Sequence, residues 1–369
     1  LHRCFSATHD HLIAKIEVKN SIVHNRHAFA PILLTDWKLG PAGVGCGSAV
    51  IDLHCHILPG VDDGASDLSV ALAMAKASVA QGVTVVACTS HILPGLYHNS
   101  GAALREATDR LQVVLDDEGI ALRLATGADV HMAPDFVAGL RSGRLLSLAD
   151  SRYVLVEPPH HSAPPQLEDF FFQLVLAGYV PIVTHPERLS WLPSRFETIR
   201  RLVQSGVWVQ ITASSLTGMF GRDALYWAHR MLDEGLVHVI ATDAHDAERR
   251  RPDLARGREL AAKRVGAEEA QRLVVTRPLA ALKDAAPSSV PRPLGVVVDG
   301  ETGDRPEVAD DSRGPGKVRP GNLRPGNLGP DKLGLDKLGL DKLGRGKIRA
   351  GRADPGVRSL AGRLRRLFE

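Results

Sequence analysis

One pattern limits the possible folds of this chain more than any other. Between residues 49 and 284, short apolar runs alternate with helical patterns about seven times, and most of the runs end in a histidine or a carboxylate. The runs read as strands over 50–54, 83–89, 122–128, 153–157, 180–185, 208–212 and 237–242. Helical spacing fills most of the gaps, at 68–81, 102–118, 167–177 and 195–204. In the first of these, Leu68, Leu72, Ala75 and Val79 make one apolar stripe. Gly82, Gly119, Gly178 and Gly206 stand where a helix should stop before the next strand. Strands joined through helices run parallel, so the class is α/β: a parallel barrel or a doubly wound sheet.

The strand ends carry the chemistry. His54 and His56 close the first strand, and residues two apart on a strand point the same way, so both can reach one ion. Asp63 follows in the Asp62-Asp63-Gly64 turn. Later strands end at His91, Asp129, Glu157, His185 and the pair Asp243 and His245. In a parallel barrel all C-terminal strand ends meet at one face, which is where active sites sit. Any one of these residues alone would more often be a polar loop cap. Six strands of seven ending this way is a pattern that points to a shared site. Mixed imidazole and carboxylate donors suit manganese, iron or zinc better than calcium or magnesium. Two or three such ions could activate water, neutralise a phosphoryl oxygen and align the two for hydrolysis.

Composition removes other classes. Forty-five basic against 42 acidic residues give a net charge of +3, and no basic stripe interleaved with aromatics indicates nucleic acid. No apolar run reaches the roughly 18–20 residues of a membrane span, so no stable membrane insertion is expected. Cys4, Cys46, Cys55 and Cys88 show neither C-x-x-C spacing nor a disulfide framework, which suits a soluble protein of the cytoplasm. A phosphate-binding loop built on a catalytic cysteine needs an arginine six residues after it. Asp10, Asp52, Val61 and Pro94 occupy those positions here. Alternation also points Cys55 away from its flanking histidines, toward packing.

Three zones emerge: an N-terminal extension over 1–48 that fits no fold, a domain over 49–284, and a tail over 285–369. The tail holds a five-residue near-repeat over 319–343, rich in Pro, Gly, Lys and Leu. Too few large apolar residues occur there to offset ordering entropy, so a mostly disordered tail is expected over a β-solenoid. Residues 357–368 could form a short basic amphipathic helix.

The run from Ile51 to Gly64 (IDLHCHILPGVDDG), with Thr89-Ser90-His91, His185-Pro186-Glu187-Arg188 and Thr242-Asp243-Ala244-His245, resembles the PHP (polymerase and histidinol phosphatase) superfamily. Within it the chain is similar to the bacterial tyrosine-protein phosphatases of capsular and exopolysaccharide gene clusters. Gln210–Gly218 and Gly235–Ile240 also look like that subfamily. The resemblance spans about residues 50–282. It implies a distorted (β/α)7, TIM-like barrel and three metal positions. His54, His56, Asp129 and Asp243 would hold the first ion. Asp129, Glu157 and His185 would hold the second, with Asp129 bridging, and Asp63, His91 and His245 the third. Manganese is the implied cofactor, with iron, zinc or cobalt as alternatives. Arg188 and Arg250 match arginines that contact substrate phosphate, for which a planar guanidinium fork is suited. Asp129 departs from the family's usual Glu and is one methylene shorter.

The activity implied is hydrolysis of phosphotyrosine on a bacterial tyrosine kinase that controls polysaccharide synthesis. Two other readings stand beside it: a phosphatase of small monoesters such as histidinol phosphate, and a non-catalytic module that docks the kinase. The oligomeric state is left open.

Overall fold

The computed structural model describes residues 49–295; the extension over 1–48, the near-repeat and the basic C-terminal segment lie outside the described residues. Nine strand segments follow in chain order: β1 (Val50–Cys55), β2 (Val83–Cys88), β3 (His91–Ile92), β4 (Arg123–Thr126), β5 (Asp129–His131), β6 (Tyr153–Glu157), β7 (Val180–Thr184), β8 (Trp208–Thr212) and β9 (Val239–Ala241). Every paired neighbour is parallel. One sheet runs β1-β2-β4 and the other β3-β5-β6-β7-β8-β9.

The two sheets are parts of one barrel. β2 and β3 are a single strand broken at Thr89–Ser90, and β4 and β5 one broken at Gly127–Ala128. Counted this way the strands number seven, as the alternation predicts. The last meets the first through a bridge between Cys55 and Ala244. His56 N donates to Ala244 O at 2.9 Å and Asp243 N to His54 O at 2.8 Å. The closing hydrogen bonds therefore involve His54, His56 and Asp243 themselves.

Helices cover the outside: α1 (Leu68–Ala80), α2 (Gly101–Asp117), α3 (Phe136–Arg141), α4 (Leu167–Leu176), α5 (Leu192–Gln204), α6 (Gly221–Asp233) and α7 (Leu254–Val265). After them come α8 (Ala267–Gln271) and α9 (Arg277–Leu282). Gly82, Gly119, Gly178 and Gly206 all take positive φ, the left-handed stop expected of them. The stripe expected on α1 is turned. Ala71, Met74, Ala75 and Ser78 are the buried face, and Leu68 is 43 % exposed. Small side chains let this helix lie close to the sheet, so its two N-terminal leucines fall on the flank.

Two apolar clusters separate outside from inside. The larger joins helix side chains such as Leu104, Phe171 and Leu202 to the outer strand faces. The smaller gathers Ile51, Leu53, Val85, Ala87, Leu155, Ile182 and Val239 within the barrel. Ala281 and Leu282 of α9 join it, at the end away from the strand C-termini. Hydrophobic filling of the interior leaves one end free for polar residues.

β1 contains the feature that re-aims its histidines. Asp52 pairs with Val86, yet Cys55 pairs with Cys88, so β1 carries one extra residue between them. With Ile51 and Leu53 facing inward, plain alternation would turn His54 outward. The bulge reverses the phase: Cys55 packs in the outer cluster, and His54 and His56 turn toward the barrel mouth. Spacing alone predicts that the two histidines share a side; the bulge determines which side.

Candidate metal centre

At the mouth of the barrel the strand ends bring donors together, all of them buried except Asp63. His54 Nε2 and His56 Nε2 lie 3.1 Å apart. Asp243 Oδ1 stands 3.4 Å from the first and 3.3 Å from the second. Asp129 Oδ2 is 3.6 Å from His54 Nε2 and 3.5 Å from His91 Nδ1. Asp63 Oδ1 sits 3.5 Å from both His91 Nε2 and His245 Nε2. Glu157 Oε1 is 3.6 Å from His185 Nε2. All nine residues singled out in the sequence thus converge, although they come from six strand ends.

These separations carry chemical meaning. Donors bound at about 2.0–2.2 Å around one ion are separated from one another by roughly 2.9–3.5 Å in octahedral or tetrahedral arrangements. Most of the distances fall on or just outside that range. His56, Asp63, His91 and His245 form one group that could hold an ion; His54, His56 and Asp129 form another, and His54, His185 and Asp243 a third. The first of those groups contains the third set that the resemblance implies, and the other two divide the first set between them. In the region of the second, Glu157 groups with His160 and His185, and separately with His91 and His131, rather than with Asp129.

Neighbouring groups fix the tautomers. His54 Nδ1 faces Gln210 Oε1 at 2.9 Å and His56 Nδ1 faces Asp62 Oδ2 at 2.8 Å. The backbone oxygen of Asp243 accepts from His245 Nδ1 at 3.0 Å. An acceptor at Nδ1 keeps the proton there and leaves the Nε2 lone pair free to bind a cation. The backbone contributes too. His185 and Asp243 adopt positive φ, 34° and 49°, a region non-glycine residues rarely occupy.

Charge balance supports a cation. Asp129 and Glu157 are fully or almost fully buried side by side. Burial, reinforced by Glu157, pushes the Asp129 carboxyl well above its ordinary value. Burial lowers the His54 imidazole to about 4 and that of His91 to about 3. Neutral imidazole is the form that binds metal. Both carboxylate oxygens of Asp129, Glu157 Oε2 and His185 Nδ1 are buried without a hydrogen-bond partner. Each such orphan costs about 1–3 kcal/mol unless something else satisfies it. Divalent cations among these donors remove that cost, so the residues present fit a metal centre.

Two arginines border it. Arg188 Nη1 and Arg250 Nη2 both donate to Asp243 Oδ2, the second at 2.6 Å. Phe220 lies beneath the Arg188 guanidinium, 4.4 Å from ring centroid to Cζ. A groove of about 290 Å³ opens beside them, lined by His160, Arg188, Leu189, Pro193 and Phe220.

The profile of the family described as capsular polysaccharide synthesis, CpsB/CapC, matches residues 50–283. The chain belongs to this family. It is 38 % identical over 201 residues to the tyrosine-protein phosphatase YwqE of Bacillus subtilis, covering 54 % of this chain and 79 % of the relative. To the tyrosine-protein phosphatase CpsB of Streptococcus pneumoniae it is 28 % identical over 240 residues, 64 % of this chain and 99 % of that one. A solved structure from the work on B. subtilis YwqE and S. pneumoniae CpsB, described there as unique metal-dependent tyrosine phosphatases, superposes with a TM-score of 0.63. The superposition is at 34 % identity and covers 67 % of this chain and 99 % of the other.

Beside the nine donors and the two arginines, four further residues reach the cluster that the sequence pattern did not single out. Asp62 and Gln210 orient the first two histidines. His131 and His160 stand on opposite sides of Glu157. A D-x-H pattern at Asp129 and an E-x-x-H pattern at Glu157 were the signals available. Gln210 lies in a family-like run, but a lone glutamine inside an apolar strand resembles any buried polar residue.

Proposed function

We propose that this protein is a metal-dependent protein-tyrosine phosphatase acting on a phosphotyrosine-bearing bacterial tyrosine kinase of capsular or exopolysaccharide synthesis. The observation that carries the reading is the joining of a buried imidazole–carboxylate cluster to two arginines through one residue, Asp243. Cation ligands and phosphate-binding forks meet there. The relatives named tyrosine-protein phosphatase support the substrate group, and the family's capsule description supports the pathway.

In this reading His54, His56, Asp129 and Asp243 would hold one ion, Glu157 and His185 with Asp129 a second, and Asp63, His91 and His245 a third. When bound, divalent ions supply Lewis acidity toward water and phosphoryl oxygen. Manganese suits the mixed N and O donors, with iron, zinc and cobalt as the nearest competitors. Arg188 and Arg250 grip the phosphate. Phe220 restricts the Arg188 guanidinium by stacking, so less side-chain freedom is lost when phosphate binds. The groove along His160, Leu189 and Phe220 receives the tyrosyl ring and flanking peptide. Water displaces the phenol oxygen from phosphorus, giving tyrosine and inorganic phosphate.

The free, buried Cys55 and Cys88 support a reducing compartment, and we assign the cytoplasm. Among the described residues no helix is long and apolar enough to cross a membrane.

The test is turnover of a phosphotyrosine peptide by the full chain, with metal content measured on the same sample. Expected are turnover in the loaded protein, loss with EDTA and recovery with Mn²⁺. Metal-loaded protein that binds the peptide and never releases phosphate would leave a docking role instead. Faster turnover of histidinol phosphate than of the peptide would favour a small-monoester phosphatase.

A further inference from the structure

Glu157 is satisfied at one carboxylate oxygen and not at the other. Its Oε1 accepts from His160 Nε2 at 2.9 Å and faces His185 at 3.6 Å. Its Oε2 is buried and has no hydrogen-bond partner, although two imidazole nitrogens approach it. His131 Nε2 lies 2.5 Å away and His91 Nδ1 3.4 Å away. The two nitrogens are 3.3 Å from each other. Three donor atoms so close together, with the carboxylate oxygen outside hydrogen-bonding alignment, have the geometry of groups directed at a common point. His91, His131 and Glu157 form one of the groups whose atoms lie close enough together to hold a cation.

His91 cannot serve both its neighbours. A neutral imidazole has one lone pair. When Nε2 of His91 joins Asp63 and His245, its Nδ1 offers Glu157 only an N–H. Among the described residues, His131 is then the imidazole left to bind an ion at Oε2. Its position on β5 makes this possible: Asp129 and His131 are two residues apart and share a face of the strand. Asp129 has a short side chain. His131 brings a longer donor to the same part of the centre from the same strand.

We infer that His131 is a metal ligand of this chain, acting with Glu157. This rests on reading the cluster as a metal centre. With the added imidazole, the donor set becomes richer in nitrogen, which favours zinc, iron or cobalt relative to an oxygen-rich set.

The experiment compares the full chain with its His131→Gln, His131→Ala and His54→Ala variants. Each is loaded with Mn²⁺, Zn²⁺ or Co²⁺, and metal equivalents are measured by mass spectrometry. The Co²⁺ absorption spectrum reports coordination, and circular dichroism reports folding. Glutamine retains a hydrogen bond to Glu157 but offers no imidazole. If His131 is a ligand, both His131 variants lose one equivalent or bind it about 10–100-fold more weakly, and the Co²⁺ spectrum changes. If His131→Gln matches wild type in metal content and spectrum while His54→Ala loses metal, His131 is not a ligand and the inference fails alone. If His54→Ala also keeps its full complement, the metal-centre reading fails, and this inference with it.

Discussion

Arg250 grips Asp243 twice: its Nη2 lies 2.6 Å from a carboxylate oxygen and 3.2 Å from the backbone oxygen of the same residue. Asp246 holds the loop that makes this possible, accepting from the backbone N–H groups of Glu248, Arg249 and Arg250. The other oxygen of Asp243 faces His54 and His56. A burial cost opposes the charge on Asp243, but Arg250, His54 and Arg188 outweigh it and hold its pKa well below the ordinary carboxylate range. This residue therefore stays ionised and links the arginines to the cluster.

Removing the Arg250 fork should weaken phosphate binding more than metal binding. A hydrogen bond to a charged group contributes about 1.5–3 kcal/mol, or roughly 10–150-fold. Arg250→Ala should lower kcat/KM on a phosphotyrosine peptide by that factor and weaken inhibition by inorganic phosphate, with metal content near wild type. Arg250→Lys should recover little, because an ammonium cannot form the fork. Unchanged phosphate inhibition in Arg250→Ala would remove Arg250 from the phosphate site.

Much of this architecture was legible in the sequence because it is periodic. Strands β6 and β8 lie at the expected residues, and the helices starting near Leu68 and Leu167 lie within one residue of expectation. What was not legible depends on contacts between distant residues. The bulge in β1 follows from its pairing with β2, and the interruption at Gly127–Ala128 from a change of partner sheet. The buried face of α1 is set by how closely it packs, which apolar spacing does not encode. Site residues announced themselves when they ended strands. Gln210 and Asp62 act through the imidazoles they touch, so only three-dimensional proximity reveals them.

Gly64 should be irreplaceable. A Cβ there would stand 2.1 Å from His56 O and 2.4 Å from His56 Cβ, with no flexible side-chain end to yield. The turn also lets Gly64 N donate to Asp62 Oδ1 at 3.0 Å, which steadies the carboxylate that orients His56. Gly64→Ala should displace the turn, lower metal occupancy and destabilise the fold by about 1–3 kcal/mol, the usual range for overpacking. Urea denaturation and metal analysis would check both effects. A variant with normal metal content would show that the turn can shift without moving His56.

His238 gives a pH dependence separate from the metal centre. It stacks on Trp208 with ring centroids 5.0 Å apart, and its Nδ1 lies 3.2 Å from Val209 N and 3.1 Å from Leu236 O. Burial, aided by Arg277, lowers its pKa from 6.5 to about 3. The folded value lies below the unfolded one, so the unfolded chain takes the proton first. Stability is then full above about pH 6.5 and is lost as pH falls toward 3, by up to about 1.4 kcal/mol per unit. His238→Asn keeps a side-chain acceptor near Val209 and cannot titrate. Between pH 7 and pH 5 the wild type should lose on the order of 1–2 kcal/mol more than this variant in urea unfolding. Parallel losses in the two proteins would show that His238 does not protonate differently on unfolding.

Residues just past the expected domain boundary should matter to stability and not to chemistry. Arg277 is fully buried and pairs with Glu269 at 2.7 Å. Its Nε and Nη2 donate to the backbone oxygens of Pro291 and Arg292, each at 2.8 Å. Leu294 N reaches the same Glu269 carboxylate at 3.2 Å. A chain ending at Pro287 would leave a buried guanidinium without these acceptors, whereas one ending at Gly295 keeps them. Losing two hydrogen bonds to a charged group should cost about 3 kcal/mol, or roughly 6–12 °C in Tm for a domain of this size. Removing the partner charge with Glu269→Ala should cost about 3–5 kcal/mol, because a buried charge is left alone. Turnover of the peptide per metal-loaded molecule should be the same in both truncations at low temperature, since α9 plugs the barrel end opposite the metal centre. Equal Tm values for the chains ending at Pro287 and Gly295 would show that the 291–294 segment adds nothing to the fold.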